Sequence, residues 1–100
     1  MNKSSASYDR LKAQETFLAN VRIERLNQDN KWGVQTHNGH TWVAILTEEV
    51  GEFSAAVNEG RLAAAVEELV QVAAVACAAY EQQESGEGTL HPEWLQDEDE

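Results

Sequence analysis

Two short acidic runs, Glu48-Glu49-Val50-Gly51-Glu52 and Glu67-Glu68-Leu69-Val70-Gln71, hold the side chains best suited to chemistry in this 100-residue chain. They are mirrored about Gly60: Glu52 lies eight residues before it and Glu68 eight after, Glu49 eleven before and Gln71 eleven after. A spacing of three places Glu49 and Glu52 on one face of a helix, and Glu68 and Gln71 likewise. If two helices fold back on each other at Gly60, equal counts mean equal heights, roughly 12 Å from the turn for the inner pair. Four oxygen-bearing side chains then converge. Carboxylates crowded together repel, and burying them unpaired costs several kcal/mol or pushes their pKa values up. A hard divalent cation removes that conflict, and magnesium in particular binds through a few carboxylates, retained waters and substrate phosphates. Most glutamate runs on helices are solvated faces. Here the mirrored placement favours the cation, because Glu67, Glu68 and Gln71 are the only polar side chains, Cys77 apart, between Leu62 and Tyr80. A di-iron carboxylate bundle is disfavoured, since its Glu-x-x-His pairs are absent.

The elements that must position these residues are helices. Residues 7–27 carry Leu11, Leu18, Val21 and Leu26 near three- and four-residue spacing. Asp29, Asn30, Gly33, Asn38 and Gly39 then predict a loop over 28–40. A second helix is expected over 41–58 with Thr41 as its N-cap, and a third over 61–83, with Gly60 as the break between them. No β pattern and no internal repeat is visible, so the expected fold is an all-α helical bundle with an antiparallel helix hairpin. Residues 1–6 read as a disordered N-terminus, 7–84 as the domain and 85–100 as an acidic tail, in which Leu90, Pro92, Trp94 and Leu95 can dock a short segment. The third helix is apolar nearly all round, which calls for burial on more than one face. A homodimer or homotetramer provides that, with a folded-back C-terminal segment as the rival.

Composition narrows the partners. The formal net charge is −11, and no Lys or Arg follows Arg61. Phosphate-backbone binding to nucleic acid polymers needs clustered basic residues and is not expected. A small phosphorylated substrate remains compatible, because a bound cation inverts the local charge. The weakly polar stretch 70–80 is too short to span a membrane, and no signal-like segment opens the chain. A lone Cys77 in an apolar run fits a reduced, cytoplasmic compartment, where it serves as a small packing residue.

At Glu49-x-x-Glu52 and Glu68-x-x-Gln71 the chain resembles the compact, single-domain members of the MazG-like nucleoside triphosphate pyrophosphohydrolases. The texts EEVGEF and EELVQV stand where that family carries paired Glu-x-x-Glu and Glu-x-x-Asp motifs, and Lys31-Trp32-Gly33 extends the likeness over roughly residues 21–81. Gln71 departs from the pattern, standing where the family usually has Asp; an amide oxygen reaches a cation or its water without adding charge. The resemblance implies hydrolysis between the α and β phosphates of a nucleoside triphosphate, with magnesium or manganese as cofactor and a house-cleaning role toward surplus or noncanonical nucleotides. It also implies Glu49, Glu52, Glu68 and Gln71 as metal-binding residues and Glu48 as the group that positions or deprotonates water. Lys31, Arg22 and Arg25 become candidates for phosphate, and Trp32 for stacking on the base or closing the pocket; a solvent-exposed lysine, a loop tryptophan anchoring the bundle and, more commonly for the arginines, surface salt bridges are the alternatives. His37, His40 and His91 lack ligand-like spacing and read as loop residues. Two other classes stay open: a helical interaction module of antitoxin or adaptor type, and a nucleotide-binding protein without turnover, with Gln71 as the cause.

Overall fold

The computed structural model describes residues 3–91, with side chains from Asp9 onward. Among them are three helices and no strand: α1 (Lys3–Trp32), α2 (Gly39–Asn58) and α3 (Leu62–Ser85). The fold class is all-α. Pro92, Trp94, Leu95 and the acidic residues after them lie outside the described residues.

α1 runs five residues beyond its expected end at Asn27. The residues read as breakers are held in the helix by bonds to the preceding turn. Arg25 pairs with Asp29 at 3.1 Å, and the Gln28 amide donates to Glu24 at 3.3 Å. Such three- and four-residue pairs support a helix that propensity alone would end. The stop comes at Gly33, whose positive φ of 76° lets its N–H reach the Asp29 carbonyl at 2.8 Å. α2 starts earlier than expected, and its cap is Asn38 rather than Thr41. The Asn38 side chain accepts from the Thr41 N–H at 2.9 Å, so Thr41 is the residue being capped.

Between α2 and α3 the break at Gly60 is as expected. With φ at 75°, Gly60 lets its own N–H reach the Val57 carbonyl at 3.1 Å and the Arg61 N–H reach Ala56 at 2.9 Å. That is a Schellman closure, and it folds α3 back along α2. α3 is the central element. α1 and α2 each pack against it and make no close backbone approach to each other.

The core is thin: Val21, Trp42, Ala56, Ala65, Ala74 and Val75 are its buried apolar residues. Leu11, Leu18 and Leu26, expected to pack, are all more than half exposed, because only part of the long α1 lies over α3. On α3, Leu62, Val66, Leu69 and Tyr80 are exposed as well. As a whole, α3 is long and apolar enough by length and composition to cross a membrane, a test that the stretch 70–80 taken alone did not meet. It carries Glu67 and Glu68 within that length.

Two polar clasps hold the bundle. Arg25, itself buried, donates from Nε and Nη2 to both Glu81 oxygens at 2.9 and 2.7 Å, tying α1 to α3. Gln82, 2 % exposed, accepts from the Trp42 indole N–H and the His37 N–H at 2.9 and 2.8 Å and donates to the His37 carbonyl at 2.8 Å. It fixes the 33–38 loop and α2 to the end of α3.

Candidate metal centre and adjoining cleft

The Schellman turn sets the register of α2 against α3, and that register brings Glu49 and Glu52 to Glu68. One oxygen from each carboxylate lies within 4.8 Å of the other two. Glu49 and Glu68 are half-buried, while Glu52 stands at the solvent edge. With both carboxylates ionised, Oε2 of Glu49 and Oε1 of Glu68 are buried with no hydrogen-bond donor. An ionised oxygen shut from water with no donor costs several kcal/mol unless something positive faces it.

The electrostatics register the same strain. Burial pushes the Glu49 carboxyl up from 4.5 to about 7, and the charges of Glu52 and Glu68, a hydrogen bond shared with Glu68 and the charge of Glu48 add to it. A proton held between Glu49 and Glu68 is thus one remedy for the orphaned oxygens. A divalent cation is the other, and the residues fit it: three carboxylates at close range from two helices, two with unsatisfied oxygens. Hard oxygen donors in this number suit magnesium or manganese better than softer metals.

Beside the cluster, a cleft of about 190 Å³ opens between α1 and α2 with α3 as its floor. Glu49, Gln71, Arg25, Asp29, Trp32 and Trp42 are among its lining residues. The cleft exists because α1 and α2 stand apart. Gln71 is half-buried, one turn from Glu68, and also borders a shallower polar depression with Glu67 and Glu68.

The other residues singled out by sequence are distributed unevenly. Glu48 is exposed outside the cleft, close enough to Glu49 for its charge to act there. Trp32 lines the mouth and is 58 % exposed; Lys31 lies over its ring at 4.8 Å, outside the lining. Arg25 is in the wall, but its donors are largely engaged by Glu81, Asp29 and Gln28, so it holds helices together. Arg22 is exposed and lines none of the three pockets described. Cys77 is half-buried, and its Sγ lies 3.2 Å from Glu81 Oε2. Burial and that carboxylate raise its pKa, which keeps it a thiol.

Sequence reading missed Glu24, Gln28, Asp29 and Gln35 in the cleft and Gln82, which accepts from Trp42 of its wall. Arg25 with Gln28 and Asp29, three and four residues on, was the available signal for one wall. Gln82 carried none, since its partners lie 40 and 45 residues away. No family model, curated protein or solved structure matches this chain.

Proposed function

We propose that the chain is a magnesium-dependent nucleoside triphosphate pyrophosphohydrolase of MazG-like type, releasing a nucleoside monophosphate and pyrophosphate. The observation that carries this reading is the convergence of Glu49, Glu52 and Glu68 from two helices, with two buried oxygens unsatisfied and Glu49 also lining an open cleft. A structural ion pair would have supplied a cation from Lys or Arg at that place; here the neighbours are carboxylates.

In this reading Glu49, Glu52 and Glu68 would hold the cation and Gln71, one turn from Glu68, would supply an amide oxygen to it. When bound, the cation would neutralise phosphate oxygens and make a coordinated water more acidic. Glu48, exposed beside the cluster, would orient a water there or accept its proton. Trp32, 58 % exposed in the cleft lining, offers its indole to the base. Lys31, lying over that ring, is a point charge for phosphate if it swings off it. A homodimer or homotetramer, a cytoplasmic setting and a house-cleaning role belong to the same proposal.

The exposed apolar residues of α3 favour one competing reading, an interaction module whose partner covers them. The experiment that separates the readings is pyrophosphate release from a panel of ribo- and deoxyribonucleoside triphosphates, with and without magnesium, alongside thermal shift with the metal alone. Release that requires the metal supports the enzyme. Metal-dependent stabilisation and nucleotide binding without release identify a binding protein, and the absence of all three identifies the interaction module.

A further inference from the structure

The wall that α1 supplies to the cleft is polar and internally bonded. Glu24, Arg25, Gln28, Asp29 and Trp32 line it from one face of the last turns of α1, at the three- and four-residue spacings that make neighbours on a helix. Arg25 donates to both Glu81 oxygens, to Gln28 Oε1 at 2.9 Å and to Asp29, so four of its five N–H groups are engaged. The same network turns the Gln28 amide: its Oε1 accepts from Arg25 and its Nε2 donates to Glu24 at 3.3 Å. What the wall keeps for a ligand is chiefly acceptors. Asp29, with its side chain 35 % exposed, and Glu24 are carboxylates with more lone pairs than these bonds use. The charged residues of the whole lining are three carboxylates, Glu24, Asp29 and Glu49, against the one guanidinium of Arg25.

We propose that this wall selects the base: the chain takes nucleotides whose base carries an exocyclic amino group, and Asp29 is the residue that tells them from their deaminated counterparts. The proposal rests on the pyrophosphohydrolase reading and adds to it the class of base. Glu24 and Asp29 repel a triphosphate, so it is the base that α1 meets. Trp32 lies three residues beyond Asp29 and four beyond Gln28, so a base stacked on its indole has an edge within reach of both. Cytosine, adenine and guanine bring an amino N–H to a carboxylate there. Uracil and hypoxanthine put a carbonyl oxygen where cytosine and adenine carry the amine. Two acceptors then face each other and neither finds a proton. Within each pair the ring shapes are nearly equal, so the chemistry of the wall decides and not its size. A site that hydrogen-bonds a substrate N–H discriminates strongly against the analogue that lacks it.

The test compares dCTP with dUTP and dATP with dITP on the full-length chain in excess magnesium. The kcat/KM for pyrophosphate release should favour the amino-bearing member of each pair by about 10- to 100-fold, the effect of one hydrogen bond to a charged group. Asp29→Asn keeps the shape of the side chain and offers an N–H to a carbonyl. It should bring both ratios close to unity by raising the rates with dUTP and dITP, a gain that loss of a merely structural residue does not produce. Equal values within both pairs, or ratios unmoved by Asp29→Asn, overturn the proposal and leave the hydrolase reading standing. Absence of pyrophosphate from every nucleotide overturns that reading instead, and titration with phosphate-free nucleosides then decides the base wall by itself. A shift of the Trp32 indole resonance with deoxycytidine and none with deoxyuridine supports the selection; shifts with both, or with neither, overturn it.

Discussion

Glu49 is where the cost of gathering carboxylates is concentrated. Its proton affinity is raised in the folded chain, so between pH 4.5 and about 7 the folded state binds more protons than the unfolded one. Stability contributed at this position is therefore fully present below pH 4.5 and is lost as pH rises through about 7. A carbon-13 titration of the Glu49 side chain in metal-free protein should show a midpoint near 7. Excess magnesium should lower it, because metal and proton compete for the same oxygens. A midpoint at the ordinary glutamate value, unmoved by magnesium, would mean that the carboxylates are not held together. The same balance gives Glu52→Gln and Glu68→Gln opposite effects on two measurements. Each should reduce metal-dependent turnover by more than about 100-fold, since even partners outside the coordination sphere cost 10–100-fold. Each should also raise the metal-free Tm by a few degrees, because one repelling charge is gone. Near-normal rates in both variants would remove these residues from the metal site.

At the scale of elements, the hairpin was legible because its signals are local. Glycine at the turn, threefold spacing of the acids and equal counts on either side are properties of neighbouring residues, and α2 and α3 assemble as those signals predict. The end of α1 and the start of α2 were less legible. Asp29 and Asn30 are breakers by propensity, yet Arg25 and Gln28 tie this last turn to the one before it, while Asn38 outcompeted Thr41 for the cap by lying at the right distance from its N–H. The exposure of Leu11, Leu18 and Leu26 was not legible at all, since helical spacing states which face is apolar and not whether anything lies beneath it. Gln82 is the clearest case of a residue whose importance is purely tertiary. Gln82→Ala would leave the buried Trp42 indole N–H and both His37 backbone groups without their partner, and should cost about 2–4 kcal/mol in denaturant unfolding. A loss below about 0.5 kcal/mol would show that water replaces the amide and that the clasp is dispensable.

For the whole molecule, the thin core and the residues left outside it point the same way. Leu62, Val66, Leu69, Ala73, Ala76 and Tyr80 recur at alternating spacings of four and three along α3, the pattern of a helix-pairing seam. Its large members are all exposed. Light scattering on the purified chain should give a dimer or larger species. Val66→Glu, placed in the middle of the seam, should shift it to monomer at micromolar concentration and leave its helical circular dichroism largely intact. A wild-type monomer would show that the seam does not pair two copies of this chain.

Because α1 and α2 do not pack on each other, the two walls of the cleft are joined only through α3 and the 33–38 loop. A molecule lodged between them would act as a strut, joining parts of the backbone that otherwise have no direct contact. Amide exchange in the last turns of α1 and the first turns of α2 should then slow together when the cleft is occupied, although no peptide group in one wall touches the other.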